Sequence, residues 1–256
     1  MGDRKTFAFV GSRSAAATAA MEELVAAHSN TSVEDCDVIV ALGGDGFVLH
    51  CLHQYGHLNK PIYGMNRGTV GFLLNEYRLE GLQERIAAAQ EEELRPLKMH
   101  AESVDGKITE ALAFNEVSIL RCSSQSANVR IVVDGEERLD KLICDGALVA
   151  TAAGSTAYNL SAHGPVLPIG SDMLALTPIS PFRPRRWRGA LLPSSAEIRL
   201  ENLDPAKRPV IASADHTEID NVAQLSVTTS DDIAVRMLFD PGHSLNDRIL
   251  REQFSI

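Results

Sequence analysis

The sequence predicts a two-part fold, α/β followed by all-β. It reads as an N-terminal Rossmann-like α/β domain over residues 1–97 and a C-terminal antiparallel β-sandwich-like domain over residues 98–241. Three observations carry this. Up to about residue 97, apolar runs of strand length alternate with helical patterns, the spacing of a mostly parallel sheet. From Leu97 onward the texture changes to closely spaced β-rich segments. Between those segments, Val104-Asp105-Gly106 and Val133-Asp134-Gly135-Glu136 are hairpin turn signals.

The first strand is expected over Thr6–Val10, followed by a turn at Gly11-Ser12. Ser14 is placed to cap a helix reaching His28, with Met21, Leu24 and Val25 at helical spacing. Val38-Ile39-Val40-Ala41 reads as a buried strand, and a helix follows its glycine turn to about Tyr55. Pro61–Met65 is a third strand, and Asn66–Leu73 a small loop. A polar amphipathic helix is expected over residues 78–93, with Leu79, Leu82 and Ile86 on one side. The β-rich half should hold strands near 97–104, 109–113, 117–120, 128–133, 147–150, 197–200, 210–212, 224–228 and 233–238. Residues 244–256 read as a short helix, so the tail over 242–256 is expected to pack back on the first domain.

Bulk properties exclude several classes. The chain has 256 residues, 45% of them hydrophobic and 23% charged, ordinary values for a soluble globular protein. Lys and Arg number 24 against 34 Asp and Glu, a net charge of −10. Attraction to nucleic acid or to an anionic membrane is therefore not expected, and an anionic substrate must be met by local donors. Cys36, Cys51, Cys122 and Cys144 form no CxxC pair and sit in or beside apolar runs, as free thiols in a reducing compartment do. No signal-peptide core opens the chain and no run reaches membrane-span length, so the expected location is cytoplasmic.

Leu42-Gly43-Gly44-Asp45-Gly46 joins a strand to a helix start, an arrangement that binds phosphate through unpaired backbone N–H groups at the positive end of the helix. Gly43, Gly44 and Gly46 are the phosphate-loop candidates. Asp45 conflicts with them, because a carboxylate repels phosphate unless it handles a proton or a metal-bound ligand. Neither the dinucleotide fingerprint G-x-G-x-x-G nor the Walker G-x-x-x-x-G-K-[ST] accompanies this turn.

Further along, Asn115-Glu116 interrupts an apolar run, as ligand-binding residues or as a satisfied strand bulge. Residues 145–161 pass from strand to a small-residue loop rich in hydroxyls and then to a helix, leaving room for a flat ring or a sugar. An ordinary Ser155 helix cap is the plainer account. Arg183, Arg185, Arg186 and Arg188 crowd a segment with the single tryptophan, Trp187, as a loop paired to acidic neighbours or as a substrate clamp. His50, His53 and His57 recur at helical spacing without the carboxylates of a zinc site, and no metal ligands are assigned.

Taken in order, Gly43-Gly44-Asp45-Gly46, Asn115-Glu116 and Gly154-Ser155-Thr156-Ala157-Tyr158 with Leu160-Ser161-Ala162 resemble the NAD kinase family. Leu176-Thr177-Pro178-Ile179-Ser180-Pro181 is similar to that family's Leu-Thr-Pro-Ile-x-Pro segment. The glycine-aspartate turn alone is shared with diacylglycerol-type lipid kinases and phosphofructokinases, whereas the segment from Gly154 is more specific. The resemblance spans nearly the whole chain. It implies Asp45 as general base and Gly46 as its nucleotide-contacting neighbour. It implies NAD contacts at His50, Asn115, Glu116, Asp145, Ala153, Thr156, Ala157, Tyr158, Asn159, Leu160, Ser161 and Ser180. Some positions depart from the family pattern. Ile143 stands where many members have a basic residue, His163 replaces a common glycine, and Asp215-His216-Thr217 replaces Asp-Gly-Gln. Phe182 and the arginines replace a His-Ser-Leu-Ser-like segment.

The implied activity is phosphotransfer to an alcohol: the γ-phosphate of ATP, accompanied by Mg²⁺ or another divalent cation, moves to the 2′-hydroxyl of the adenosine ribose of NAD, giving NADP. The expected partners are NAD and ATP, with no nucleic acid and no membrane, in a homodimer or homotetramer. The alternatives are a lipid or small-molecule kinase sharing only the glycine-aspartate turn, and a non-catalytic NAD(P)-binding sensor.

Overall fold

The computed structural model describes residues 4–68, 71–242 and 254. Two compact units emerge: the described residues up to Arg95 together with those from Asp232 on, and Pro96–Asp231.

In the first unit, β1 (Phe7–Gly11) leads to α1 (Ala15–His28), whose first turn is capped by the Ser14 side chain accepting from the Ala17 N–H at 3.2 Å. Then come β2 (Val38–Gly43), α2 (Asp45–Tyr55) and β3 (Ile62–Asn66). β2 is buried along its whole length, as a central strand of a parallel sheet must be. The helix expected over 78–93 is shorter and is followed by a strand: α3 covers Leu82–Ala88 and β4 covers Gln90–Leu94. Gly81, in the left-handed region at φ 70°, stands at the start of α3, and Ala89 turns the chain extended after it. The helix-favouring run Gln90–Glu93 then becomes an edge strand, because tertiary pairing overrides weak propensity.

The second unit is a pair of six-stranded antiparallel sheets. Its strands are β5 (Leu97–Ser103), β6 (Ile108–Ala113), β7 (Glu116–Arg121), β8 (Ala127–Val133), β9 (Glu136–Cys144) and β10 (Gly146–Ala150). After a short helix α4 (Tyr158–Ser161) come β11 (Met173–Ile179), β12 (Ala190–Pro193), β13 (Ile198–Asn202), β14 (Val210–Ala214), β15 (Thr217–Ile219) and β16 (Val222–Thr229). One sheet runs β12-β11-β10-β7-β14-β15 and the other β6-β5-β16-β13-β8-β9. Strands β5, β13 and β14 alternate buried and more exposed residues, the pattern of a sheet with one face against a core. That core joins Leu97 and Met99 with Val117, Ile119, Val129, Ile131, Leu176, Ile198 and Leu225. β10 is buried on both faces, and its second face meets Leu167, with Ala152, Ala162 and Ile179 alongside. The small-residue loop after β10 therefore lies on the back of this sheet.

The strand expected over 233–238 belongs to the first unit, not to the β-rich half. β17 (Val235–Phe239) pairs in parallel with β3 and antiparallel with β4, completing the sheet β1-β2-β3-β17-β4. The Tyr63 hydroxyl donates to Asp240 at 2.6 Å, and Arg85 meets the same carboxylate at 2.5 Å. The helix expected over 244–256 lies outside the described residues, Phe254 apart. Cys36, Cys51 and Cys144 are buried free thiols as expected, but Cys122 is exposed. Among the described residues no helix is long and apolar enough to cross a membrane.

Candidate active site

In the first unit, Gly44 is the N-cap of α2 and Asp45 its first residue, so the N–H groups of Asp45 and Gly46 have no partner within the helix. An acid at this position is favoured by the helix dipole. Its side chain is held further. Oδ2 accepts from the Phe72 N–H at 2.6 Å and Oδ1 from the Leu73 N–H at 2.9 Å. A side chain at Gly71 would run into the Asp45 carboxylate, so glycine there lets the loop close on the acid. An ionised carboxylate offers about four lone-pair directions, so two remain for a proton or a ligand.

Asn75 anchors the loop that grips Asp45. It is buried, its Nδ2 donates to the Leu238 carbonyl and its Oδ1 accepts from the Asp240 N–H, both at 2.9 Å. Its backbone bonds Gly64 and Asn66. Sequence reasoning missed this residue, and an amide beside the apolar Phe72-Leu73-Leu74 run was the available signal. His50 is exposed on α2, five residues from Asp45, and so turned about 140° around the helix from it.

In the second unit, Asn115-Glu116 and the turn after β10 meet at one end of the sheet. Ala150 stands opposite Glu116 across β10 and β7. Thr151 Oγ1 donates to the Phe114 carbonyl at 2.7 Å and accepts from the Gly154 N–H at 2.9 Å, while the Thr151 N–H bonds the Asn115 carbonyl. Gly154 sits so close to the Asn115 backbone that any Cβ would collide with it. Asp215, at φ 48°, completes the knot. Its Oδ2 accepts from the Phe114 N–H at 2.7 Å, and its Oδ1 from the N–H groups of Asn115 and Glu116 at 3.0 and 3.3 Å. In the sequence Asp215 was visible only as part of a segment departing from the family pattern.

Glu116 is the perturbed group here. Burial and then the neighbouring Asp215 carboxylate push it up to about 7, against a hydrogen bond from the Tyr158 N–H. Among the described residues its Oε2 is buried and without a hydrogen-bond partner. An orphaned buried acceptor is the complement of a ligand hydroxyl. Because the folded-state value lies above the ordinary 4.5, the fold retains the proton that the unfolded chain releases. Stability from this group is thus present below 4.5 and lost as pH rises toward 7. Glu116→Gln should remove that loss. In denaturant titrations it should gain on the wild type by on the order of 2 kcal/mol more at pH 8 than at pH 5. An equal difference at both pH values would contradict this.

The segment from Ala153 divides into scaffold and lining. Ser155, fully buried, donates to the Ala152 carbonyl and accepts from the Leu167 N–H at 3.0 Å, so it is not a simple helix cap. Asn159, also fully buried, donates to the carbonyls of Ser155 and Pro165 and accepts from Thr177 Oγ1 at 2.6 Å. Its amide is committed to the protein. Asn159→Ala should cost about 3 kcal/mol, leaving two carbonyls and a hydroxyl unpaired, as denaturant unfolding would show. Ala153 and Thr156 are buried, while Ala157 and Leu160 are half-buried and Tyr158 and Ser161 exposed. His163 is at φ 63°, which explains why glycine suits that position.

Asp145 and Ser180 lie at the other end of β10, where Gly146 stands opposite Ile179. At about 3.3 Å per residue, Asp145 is some 16 Å along the strand from Ala150. Arg121 holds Asp145 with Nε to Oδ1 at 2.5 Å. Tyr158 and Ser161 line a groove of about 680 Å³ with Ile179 and Ser180. No cluster of three His, Cys, Asp or Glu side chains fit to hold a metal ion occurs among the described residues.

A glycine turn that sets an acid at the first residue of a helix, and a groove that offers the hydroxyls of Tyr158, Ser161 and Ser180, are each features that a phosphotransferase can use. Residues 5–94 match the model of the ATP-NAD kinase N-terminal domain and residues 114–236 that of the C-terminal domain. The chain belongs to the ATP-NAD kinase family. It is 56% identical over 249 residues to the NAD kinase of Mesorhizobium japonicum, covering 97% of each chain. It is 53% identical over 246 residues to that of Cereibacter sphaeroides, covering 96% of this chain and 97% of the relative. Among solved structures, an NAD kinase from Archaeoglobus fulgidus in complex with ATP aligns with TM-score 0.77 at 25% identity, over 98% of this chain and 99% of that one. Yeast NADH kinase complexed with NADH aligns with TM-score 0.83 at 22% identity, over 98% and 87%, and shows the same fold.

Proposed function

We propose that this protein is an NAD kinase, which transfers the γ-phosphoryl group of ATP to the 2′-hydroxyl of the adenosine ribose of NAD and releases ADP and NADP. The observation that carries the reading is Asp45, held by two backbone N–H groups inside an anion-binding turn. As O2′ attacks phosphorus, its proton passes to the Asp45 carboxylate, while the N–H groups of the turn meet the phosphates. Little further covalent chemistry is required, because phosphoryl transfer rests on in-line positioning and charge neutralisation.

The second unit holds the dinucleotide. Glu116, with its unpartnered oxygen, accepts from a ribose hydroxyl beside Asn115, and Thr156, Ala157 and Tyr158 bound the hollow. Asn159 and Ser155 keep that loop in shape. Asp145 and Ser180 serve the far end of the ligand, and His50 and Leu160 are peripheral. A divalent cation enters with the ATP phosphates. Mg²⁺ binds through phosphates plus one or two carboxylates, so it needs no protein cage. The relatives solved with ATP and with NADH support both substrates. Four unpaired thiols support a reducing cytoplasm, and the homo-oligomer is inferred from the resemblance to the NAD kinase family alone.

Incubation of the purified protein with NAD, ATP and Mg²⁺ tests the reading through NADP formation. Binding of NAD without turnover would mark a sensor. Absence of NAD binding with phosphorylation of a lipid would mark a lipid kinase.

A further inference from the structure

The groove beside Ser180 has a wall that the dinucleotide reading does not use. Arg185, Arg186, Trp187 and Arg188 line it opposite Tyr158 and Ser161. Several arginines of this acidic chain find carboxylates, among them Arg85, Arg121, Arg130 and Arg199, while Arg67 is held by the Ala16 carbonyl and the Tyr77 ring. Among the described residues, Arg185, Arg186 and Arg188 form none. The Arg185 guanidinium lies over the Phe182 ring, 5.4 Å from its centroid. The loop itself is fixed. The Ile143 N–H donates to the Arg183 carbonyl at 2.8 Å, and the Ile143 carbonyl accepts from the Phe182 N–H at 2.7 Å. Half-buried Trp187 packs against the sandwich core. A pinned loop thus presents three uncompensated guanidinium groups to a groove that also offers hydroxyls from Tyr158, Ser161 and Ser180.

We propose that this groove is a phosphate-binding site for a nucleotide ligand, with Arg185, Arg186 and Arg188 as its cationic wall. Guanidinium forks and hydroxyl donors are the chemistry of phosphate recognition, and a chain of net charge −10 needs such a local patch to receive one. The same phosphate chemistry could come from the diphosphate of NAD, the triphosphate of ATP or the added phosphate of NADP. The inference rests on the NAD kinase reading for the nucleotide class, not for the phosphate site.

Titration calorimetry and Trp187 fluorescence of the full-length protein with inorganic pyrophosphate test the site. Parallel titrations with NAD, ATP and NADP identify the source. Saturable binding is expected, weakening with salt. It should fall about fivefold on each single Arg→Gln change and roughly 100-fold in the triple R185Q/R186Q/R188Q variant. The thermal midpoint and gel-filtration volume of that variant should match the wild type. Absence of pyrophosphate binding, or an unchanged Kd in the triple variant, would overturn the proposal. A shift of elution volume with unchanged Kd would do so as well, assigning the arginines to a subunit contact. Pyrophosphate binding by a wild-type protein that forms no NADP would sink the kinase reading and leave the site standing.

Discussion

Asp45→Asn is expected to lower kcat for NADP formation by about 10³-fold while leaving the KM values for NAD and ATP little changed. Removing a general base affects a charge transfer that occurs only in the transition state, so the loss falls on turnover and not on binding. The geometry sets a second expectation. Asparagine keeps one acceptor for the Phe72 and Leu73 N–H groups but turns an amide N–H toward the other. A stability loss of about 1 kcal/mol should accompany the kinetic one. Steady-state kinetics with denaturant unfolding on the same preparation separates the two. Turnover near wild type with folding intact would remove Asp45 from the proton transfer.

Asp215→Ala is expected to be the most damaging change in the second unit. One carboxylate receives the N–H groups of Phe114, Asn115 and Glu116, and alanine would leave all three without it. Alanine is also disfavoured at φ 48°. Together these should cost about 3–5 kcal/mol, visible as a lowered denaturation midpoint. Because the same knot positions Glu116, the KM for NAD should rise well before the fold fails. Asp215→Asn retains an acceptor oxygen and tolerates the left-handed backbone, so it should recover most of the stability. A rescue of stability without any recovery of KM would show that Asp215 supports the fold alone.

The turn at Gly43–Gly46, the first three strands and the cap at Ser14 were legible because each is specified within a few residues of sequence. The element at Glu136–Cys144 was not. Its charged residues mark an edge strand, and most of its side chains face solvent, so the apolar period is hidden. Met173–Ile179 was hidden by Pro178, which normally argues against a strand. Here Pro178 pairs only with β10, past the stretch of β11 bonded to β12, so its missing N–H leaves nothing unpaired. The run at 235–239 read correctly as a strand but was given to the wrong sheet, since pairing partners distant in sequence leave no local trace. In the candidate site, motif reading singled out Asp45, Asn115 and Glu116, which the fold holds through backbone N–H groups at Asp45 and through the Asp215 carboxylate at Asn115 and Glu116. It could not separate Asn159, buried and fully bonded, from the lining residues beside it. It also passed over Asn75, which acts through backbone contacts. Which side chains are buried and bonded, and which are exposed, became clear only with the fold.

The most direct test of the account follows the phosphoryl group itself. Purified protein is given NAD, Mg²⁺ and ATP labelled at the γ-phosphate, and the labelled product is located by phosphorus NMR. The account predicts label on the 2′-oxygen of the adenosine ribose, in NADP, with ADP formed in equal amount. Label released only as inorganic phosphate, or attached to any other oxygen of NAD, would contradict it.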